Sequence, residues 1–241
     1  MTFGIFLEKH PSNYSSDELR TYLSNSGVIV FRGHRLSDLE LHSTMEKIGR
    51  VQDSRQQQAP QSATDKDLNT IIHLHNEDFL GKSRMGWHMD QTYLKTPYMP
   101  VRSLYCSEVD SINTTEFADI TFLSNKVLEK WPQLINSSAN YYTDSAKTIF
   151  NYRKIFSFCK HVNKDLLRYD NRLEFTDGTD SLLFKNFCRD HLNGNEIPKV
   201  SITWQPYDFV IFDNNQSPHR RSEMTGVCKL KRLTSYFWIT L

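Results

Sequence analysis

The chain has 241 residues, with 29 lysines and arginines against 28 aspartates and glutamates, for a formal net charge of +1. Hydrophobic residues make up 38% and charged residues 24%, and mean hydropathy is −0.57, a balance that excludes a disordered chain. The near-zero charge argues against nucleic acid or an anionic membrane as partner, since both call for a basic surplus; a small-molecule substrate is expected instead.

At this length about 70% of the unfolded surface can be buried, so residues 1–241 are expected to form a single domain. Cys106, Cys159, Cys188 and Cys228 are widely spaced without a CxxC pair. A zinc finger or ribbon is therefore not expected, and the thiols are expected to be reduced and buried. The segment MTFGIFLEKH lacks a basic region followed by a long apolar stretch, and no run approaches the roughly eighteen apolar residues of a membrane span. Cytoplasm is the expected compartment; homo-oligomerisation stays open.

In chain order, Ser15 and Glu18 have capping-box spacing ahead of Leu19, Tyr22 and Leu23, which predicts a helix. GVIVFRG (Gly27 to Gly33) predicts a short strand bounded by glycines. Ser37 and Glu40 repeat the capping-box spacing, and Leu39, His42, Met45 and Ile48 follow at helical intervals up to Gly49. The polar, aperiodic stretch RQQQAPQSATDKDLN (Arg55 to Asn69) predicts a long loop, with a lid and a plain surface excursion both open. NTIIHLH, VRSLYCSEV and TTEFA predict strands. Asp119 caps a predicted helix running through Leu128 that Pro132 stops, and Thr179 or Asp180 caps another over Ser181 to Leu192. KVSITW, DFVIFDN and LKRLTSYFWITL predict three closing strands, the first two joined by a QPYD turn with Pro206 at its second position. Scattered helices among many β segments, without βαβ alternation, predict an α+β fold with an antiparallel core.

The chemistry gathers around Gly86-Trp87-His88-Met89-Asp90. On a strand, residues two apart share a face, so His88 and Asp90 are expected to grip one metal side by side. With nine histidines and seventeen aspartates, composition alone yields about 0.6 such His-x-Asp pairs, so the pair by itself carries little. More weight comes from FDNNQSPHRRS, which places His219 just after an apolar strand, and from Arg232 thirteen residues further on. Two imidazoles and one carboxylate suit non-haem Fe(II) and leave three coordination positions open. A 2-oxo acid chelates through two, O2 takes the third, and the far carboxylate of the acid calls for a planar, bidentate arginine.

These segments resemble the taurine dioxygenase/TfdA-like family of Fe(II)- and 2-oxoglutarate-dependent dioxygenases. The family's WHTD or WHSD iron motif stands here as WHMDQTYLKTPYMP. Its LYAxEVP strand, GGDTxFA turn and following helix stand as LYCSEVD, SINTTEFA and ADITFLSNKVLEKWP. Its distal Trp-x-x-Gly-Asp…Asp-Asn-x4-His segment stands as WQPYDFVIFDNNQSPH, and GVIVFRGHRLSDLELHSTMEKIGRV is similar to its opening. The resemblance implies a double-stranded β-helix (jelly-roll, cupin-like) core flanked by helices. It implies His88, Asp90 and His219 as iron ligands, and 2-oxoglutarate and O2 as cosubstrates. Arg232 and Thr115 would sit at the distal carboxylate of 2-oxoglutarate, with Thr114 as rival to Thr115, and His75 and Asn76 would line the substrate side.

Two departures bear on this. The family's Gly-Gly pair is replaced by Ser111-Ile112-Asn113-Thr114. Tyr236 stands where taurine dioxygenase has a second arginine for the substrate's anion, so a sulfonate substrate is not expected. Arg220 and Arg221 are expected to be solvated, with reach to substrate open for either; Arg84 and Lys185 are candidate substrate anchors; and Tyr93, Tyr98 and Trp87 are candidate pocket aromatics, with core packing as the alternative. The implied activity is oxidation of an unactivated C–H bond, by hydroxylation or with desaturation, cyclisation or decarboxylation as the outcome. A hydrolytic or isomerase metal site and a non-catalytic binding module on the same fold are the rival readings.

Overall fold

The computed structural model describes residues 2–52, 70–75, 83–92, 100–110, 112–142 and 149–237, with backbone only at 149–152 and 237. The expected loop over 55–69, Asn76, Tyr93 and Tyr98 lie outside the described residues. Strand β1 (Ile5–Leu7) leads to helix α1 (Ser16–Ser26), β2 (Val28–Phe31), α2 (Asp38–Ile48), β3 (Gly49–Val51), β4 (Ile72–His75) and β5 (Met85–His88). There follow β6 (Val101–Val109), β7 (Thr114–Ala118) and α3 (Ile120–Lys130). A run of short strands comes next: β8 (Ser138–Tyr142), β9 (Ile149–Lys154), β10 (Phe156–Cys159), β11 (Lys164–Leu167) and β12 (Leu173–Phe175). Helix α4 (Ser181–Asn193) precedes β13 (Lys199–Thr203), β14 (Phe209–Asp213), β15 (His219–Arg221) and β16 (Cys228–Phe237).

Both capping boxes form. Ser15 Oγ accepts from Glu18 N while Glu18 reaches back to Ser15 N, and Ser37 and Glu40 repeat the arrangement. Asp119 and Asp180 cap α3 and α4. Helix α3 runs two residues past the expected Leu128. The apolar face of α2 differs from expectation: Leu41, Thr44, Met45 and Ile48 are buried, whereas Leu39 in the first turn is 64% exposed. The 41–45–48 row is the one the sheet meets, and Leu39 points away from it. The QPYD turn forms, with Asp208 N donating to Gln205 O at 3.1 Å. Tyr207 takes φ 69° in it, a left-handed conformation that costs a non-glycine residue roughly 1 kcal/mol.

Two facing sheets make a jelly roll. The larger runs β1-β2-β14-β6-β16, and the far edge of β16 carries both β3 and β4; the smaller runs β13-β7-β15-β5. Pairing is antiparallel in both except for β1 with β2. Strand β14 explains why its sequence reads as a continuous apolar run. Val210 and Phe212 face the small sheet with Val28, Cys106, Phe117, Ile202 and Trp204, while Phe209 and Ile211 face Leu19, Leu23, Leu41 and Met45 of α1 and α2. A third cluster packs α3, α4 and the strands between them, with Leu123, Val127, Tyr141, Phe156, Leu167 and Phe184 fully or almost fully buried. All four cysteines are buried free thiols, as expected.

Candidate metal centre

His88 closes β5 and His219 opens β15, and the two are direct cross-strand partners. Cross-strand pairing puts their rings on one face, with centroids 4.4 Å apart. Asp90 does not share that strand. β5 ends at His88 and Asp90 lies in the turn beyond it, which corrects the expectation of a shared strand face. Asn214, just past β14, clamps this turn: its Oδ1 accepts from Asp90 N at 2.9 Å and its Nδ2 donates to Asp90 O at 2.7 Å. The carboxylate is thereby turned back toward the histidines. Asp90 Oδ1 stands 3.7 Å from His88 Nε2 and 3.9 Å from His219 Nε2.

Each imidazole is prepared in the same way. His88 Nδ1 is 2.9 Å from Gly86 O, and His219 Nδ1 is 3.2 Å from Ser217 O. A carbonyl only accepts, so Nδ1 carries the proton in both rings and the Nε2 lone pairs face Asp90. Asp90 divides its oxygens likewise: Oδ2 pairs with Arg102 Nε at 2.8 Å and Oδ1 faces the histidines. Burial works to raise the Asp90 pKa, but the charges of Arg102, His219, His88 and Arg232 outweigh it and hold the carboxyl well below the usual range. Burial, then the neighbouring His88, pushes His219 down to about 4, so it is neutral at pH 7. Phe117 and Phe212 flank its ring at 5.7 and 5.0 Å.

The donor set fits a first-row divalent ion. Cis donors at about 2.1 Å from a common ion stand roughly 3 Å apart, so the Asp90 oxygen and each imidazole need to close by less than about 1 Å. Two neutral imidazoles and a carboxylate on one face leave the opposite positions for a chelating 2-oxo acid and O2.

Arg102 escaped the sequence reading. It is 2% exposed, and Nη1 donates to Thr234 Oγ1 at 2.9 Å. Register puts Arg102 opposite Thr234 and Leu104 opposite Arg232, so Arg232 projects into the same interior as Arg102, and its charge acts on Asp90. Thr115 is buried on β7, and its Oγ1 accepts from Trp204 Nε1 at 2.9 Å. Its rival Thr114 is half-buried and stands 3.4 Å from Thr203 Oγ1. Tyr236 follows Arg232 and Thr234 along the same face of β16, and its Oη donates to Gln52 Oε1 at 3.1 Å. His75 ends β4 beside Lys229 of β16, edge-on to His73 at 6.3 Å.

Arg221 is buried rather than solvated, because two residues on from His219 it shares that inward face and pairs in register with Thr115; its Nη2 donates to Ser83 O at 2.7 Å. Arg220 points the other way, over the Trp87 ring at 4.7 Å and paired with Glu116. Arg84 and Lys185 line a groove of about 640 Å³ together with Trp87 and Arg220. Trp87 and Arg220 in its lining alternate with His88 and His219 along β5 and β15.

The family described as taurine catabolism dioxygenase TauD, TfdA matches residues 6–234. No curated protein matches the sequence. Among solved structures, a taurine dioxygenase from Burkholderia xenovorans superposes with a TM-score of 0.77 at 13% identity, covering 98% of this chain and 87% of that one. AAD-2 in complex with Mn(II) and N-oxalylglycine superposes at 0.75 and 17% identity, with 98% and 94% covered. PvcB, an Fe, alpha-ketoglutarate dependent oxygenase from an isonitrile synthetic pathway, superposes at 0.72 and 15% identity, with 97% and 86% covered. At such identities these likenesses speak for a shared fold.

Proposed function

The chain belongs to the taurine catabolism dioxygenase TauD, TfdA family of iron(II)- and 2-oxoglutarate-dependent oxidoreductases, and on that premise we propose that it hydroxylates an unactivated C–H bond of a small amino-acid-like molecule or secondary-metabolite intermediate. Residues 1–241 act as one dioxygenase domain in this reading, in keeping with the span of the family match. The observation that carries it is the convergence of His88 Nε2, His219 Nε2 and Asp90 Oδ1, with every other polar atom of these three groups turned to a carbonyl or to Arg102.

When bound, iron(II) with 2-oxoglutarate and O2 supplies the oxidising equivalents for C–H cleavage, and succinate and CO2 leave as co-products. The chain's own residues do the positioning. His88, Asp90 and His219 hold the metal, and Arg102 keeps Asp90 ionised and fixes which oxygen is offered. Arg232 provides the guanidinium for the distal carboxylate of 2-oxoglutarate, with Thr115 as the hydroxyl partner. The Thr115 hydroxyl already accepts from Trp204, so its own proton remains available to a carboxylate. Phe117 and Phe212 keep the His219 side of the site dry.

Tyr236 at the position of taurine dioxygenase's second arginine supports a substrate without a sulfonate, since a phenol engaged with Gln52 offers no cation. His75 and Asn76 on the substrate side rest on the family resemblance. A candidate-substrate screen, read as succinate formed above the uncoupled background, tests the proposal. An amino-acid-like or secondary-metabolite compound is expected to raise succinate in step with its own hydroxylated product, and His88→Ala is expected to remove both. Succinate persisting at wild-type level in His88→Ala would overturn the assignment.

A further inference from the structure

A second group of ligand-type side chains lies at the junction between the β10–β11 hairpin and the jelly roll. Cys159 ends β10, His161 sits in the turn to β11, and Asp213 ends β14. Cys159 Sγ is 3.4 Å from both ring nitrogens of His161, and His161 Nε2 is 2.5 Å from Asp213 Oδ2. One donor atom from each residue lies within 4.8 Å of the other two. His161 and Asp213 are far apart in sequence (|i−j| is 52), so only the fold gathers them.

We propose that Cys159, His161 and Asp213 form a binding site for a borderline-soft divalent cation of the zinc class, separate from the His88–Asp90–His219 centre. Thiolate, imidazole and carboxylate together are the donor set such an ion prefers, with water in the fourth position. Sulfur and nitrogen ligands about 2.3 and 2.0 Å from a tetrahedral zinc stand about 3.5 Å apart, close to the observed Cys159–His161 separation. The His161–Asp213 contact is shorter than that and has to open to admit the ion. His161 can yield, because it lies on a turn with its side chain 21% exposed.

Asp213 is already oriented from outside the set. Its Oδ1 accepts from Asn215 N and Nδ2 at 2.9 and 2.8 Å, and its Oδ2 accepts from Gln216 Nε2 at 2.8 Å. A cavity of about 370 Å³ lined by His161, Asp119, Ser24 and Gln216 offers an entry path and room for the water ligand. Binding is ligand exchange without electron transfer: the Cys159 thiol and the His161–Asp213 pair each release a proton to solvent as the metal enters. Bound metal would staple the hairpin to β14, directly before the Asn214 that clamps the Asp90 turn.

Titration of the metal-stripped full chain with Co(II) tests this, because a thiolate–cobalt charge-transfer band cannot come from two histidines and an aspartate. Wild type is expected to bind Co(II) at two sites per chain, one of which carries the thiolate band. Cys159→Ser is expected to lose the band and one site, and His161→Ala to lose the band while retaining a folded far-ultraviolet dichroism spectrum. Zn(II) is expected to displace the band and to raise the thermal midpoint of wild type but not of either variant. Absence of the thiolate band in wild type, or its persistence in Cys159→Ser, overturns the site. The test is independent of the dioxygenase reading: Fe(II) with 2-oxoglutarate added to Cys159→Ser probes the other centre alone.

Discussion

The two clusters of ligand-type residues meet almost at a point in the chain, since Asp213 belongs to one and Asn214 braces the other, yet they are prepared differently. At the His88–Asp90–His219 centre both Nδ1 protons are parked on backbone carbonyls and one Asp90 oxygen is committed to Arg102. Three lone pairs converge there. At Cys159–His161–Asp213 the imidazole is already bonded to the carboxylate, with burial opposing the His161 charge and Asp213 outweighing it to raise the His161 pKa. Burial, with Asp213 adding to it, also raises the Cys159 thiol. A metal must displace the proton of the His161–Asp213 pair and that of the Cys159 thiol there. Imidazole and carboxylate occur in both, yet one site is preorganised and the other conditional, and the difference lies in where each imidazole proton rests and in the thiol of Cys159.

Substitutions around the two clusters should separate them. The largest expected effect is from Arg102→Ala, which removes the cation that orients Asp90. Iron affinity should fall about 10–100-fold, measured by equilibrium metal binding, while the Cys159-dependent cobalt band stays unchanged. Arg232→Ala should leave metal affinity intact and raise the apparent KM for 2-oxoglutarate about 10–100-fold, the loss of a charge-assisted contact worth about 1.5–3 kcal/mol; turnover at saturating cosubstrate should be mostly retained. An unchanged KM would remove Arg232 from its role. Asn214→Ala loses two hydrogen bonds, together about 2 kcal/mol of stability, and it should weaken iron binding modestly by loosening the Asp90 turn. Ser15→Ala, far from both clusters, should cost about 1 kcal/mol in denaturant unfolding through loss of the α1 cap and leave both metal sites unchanged.

Much of this was legible in the sequence where local chemistry decides structure. Ser15, Ser37, Asp119 and Asp180 signalled their helices because a cap is a local hydrogen bond. VRSLYCSEV and TTEFA matched β6 and β7 residue for residue because alternating and β-branched residues carry a local strand signal. The segment from Pro132 to Phe175 gave no signal. Its strands are three to six residues long and are held by contacts with α3 and α4, which no local pattern encodes. Within the site, residue types announced His88, Asp90 and His219. Arg102 was hidden inside a strand, and Asn214 inside a polar turn, since Arg102 meets Asp90 only through the fold and Asn214 meets it across a long stretch of chain (|i−j| is 124). Asp90 was chosen as a ligand candidate for a strand geometry it does not have: it lies in the turn beyond β5, and the turn, not the pleat, aims it.

The account stands most directly on one titration. Under anaerobic conditions, Fe(II) added to the metal-free chain with 2-oxoglutarate should develop a visible metal-to-ligand charge-transfer band that saturates at one iron per chain. The band should be lost in Asp90→Ala and retained in Cys159→Ser. No band in the wild-type chain, or one that survives Asp90→Ala, would contradict the assignment of His88, Asp90 and His219 as the centre that holds iron and cosubstrate.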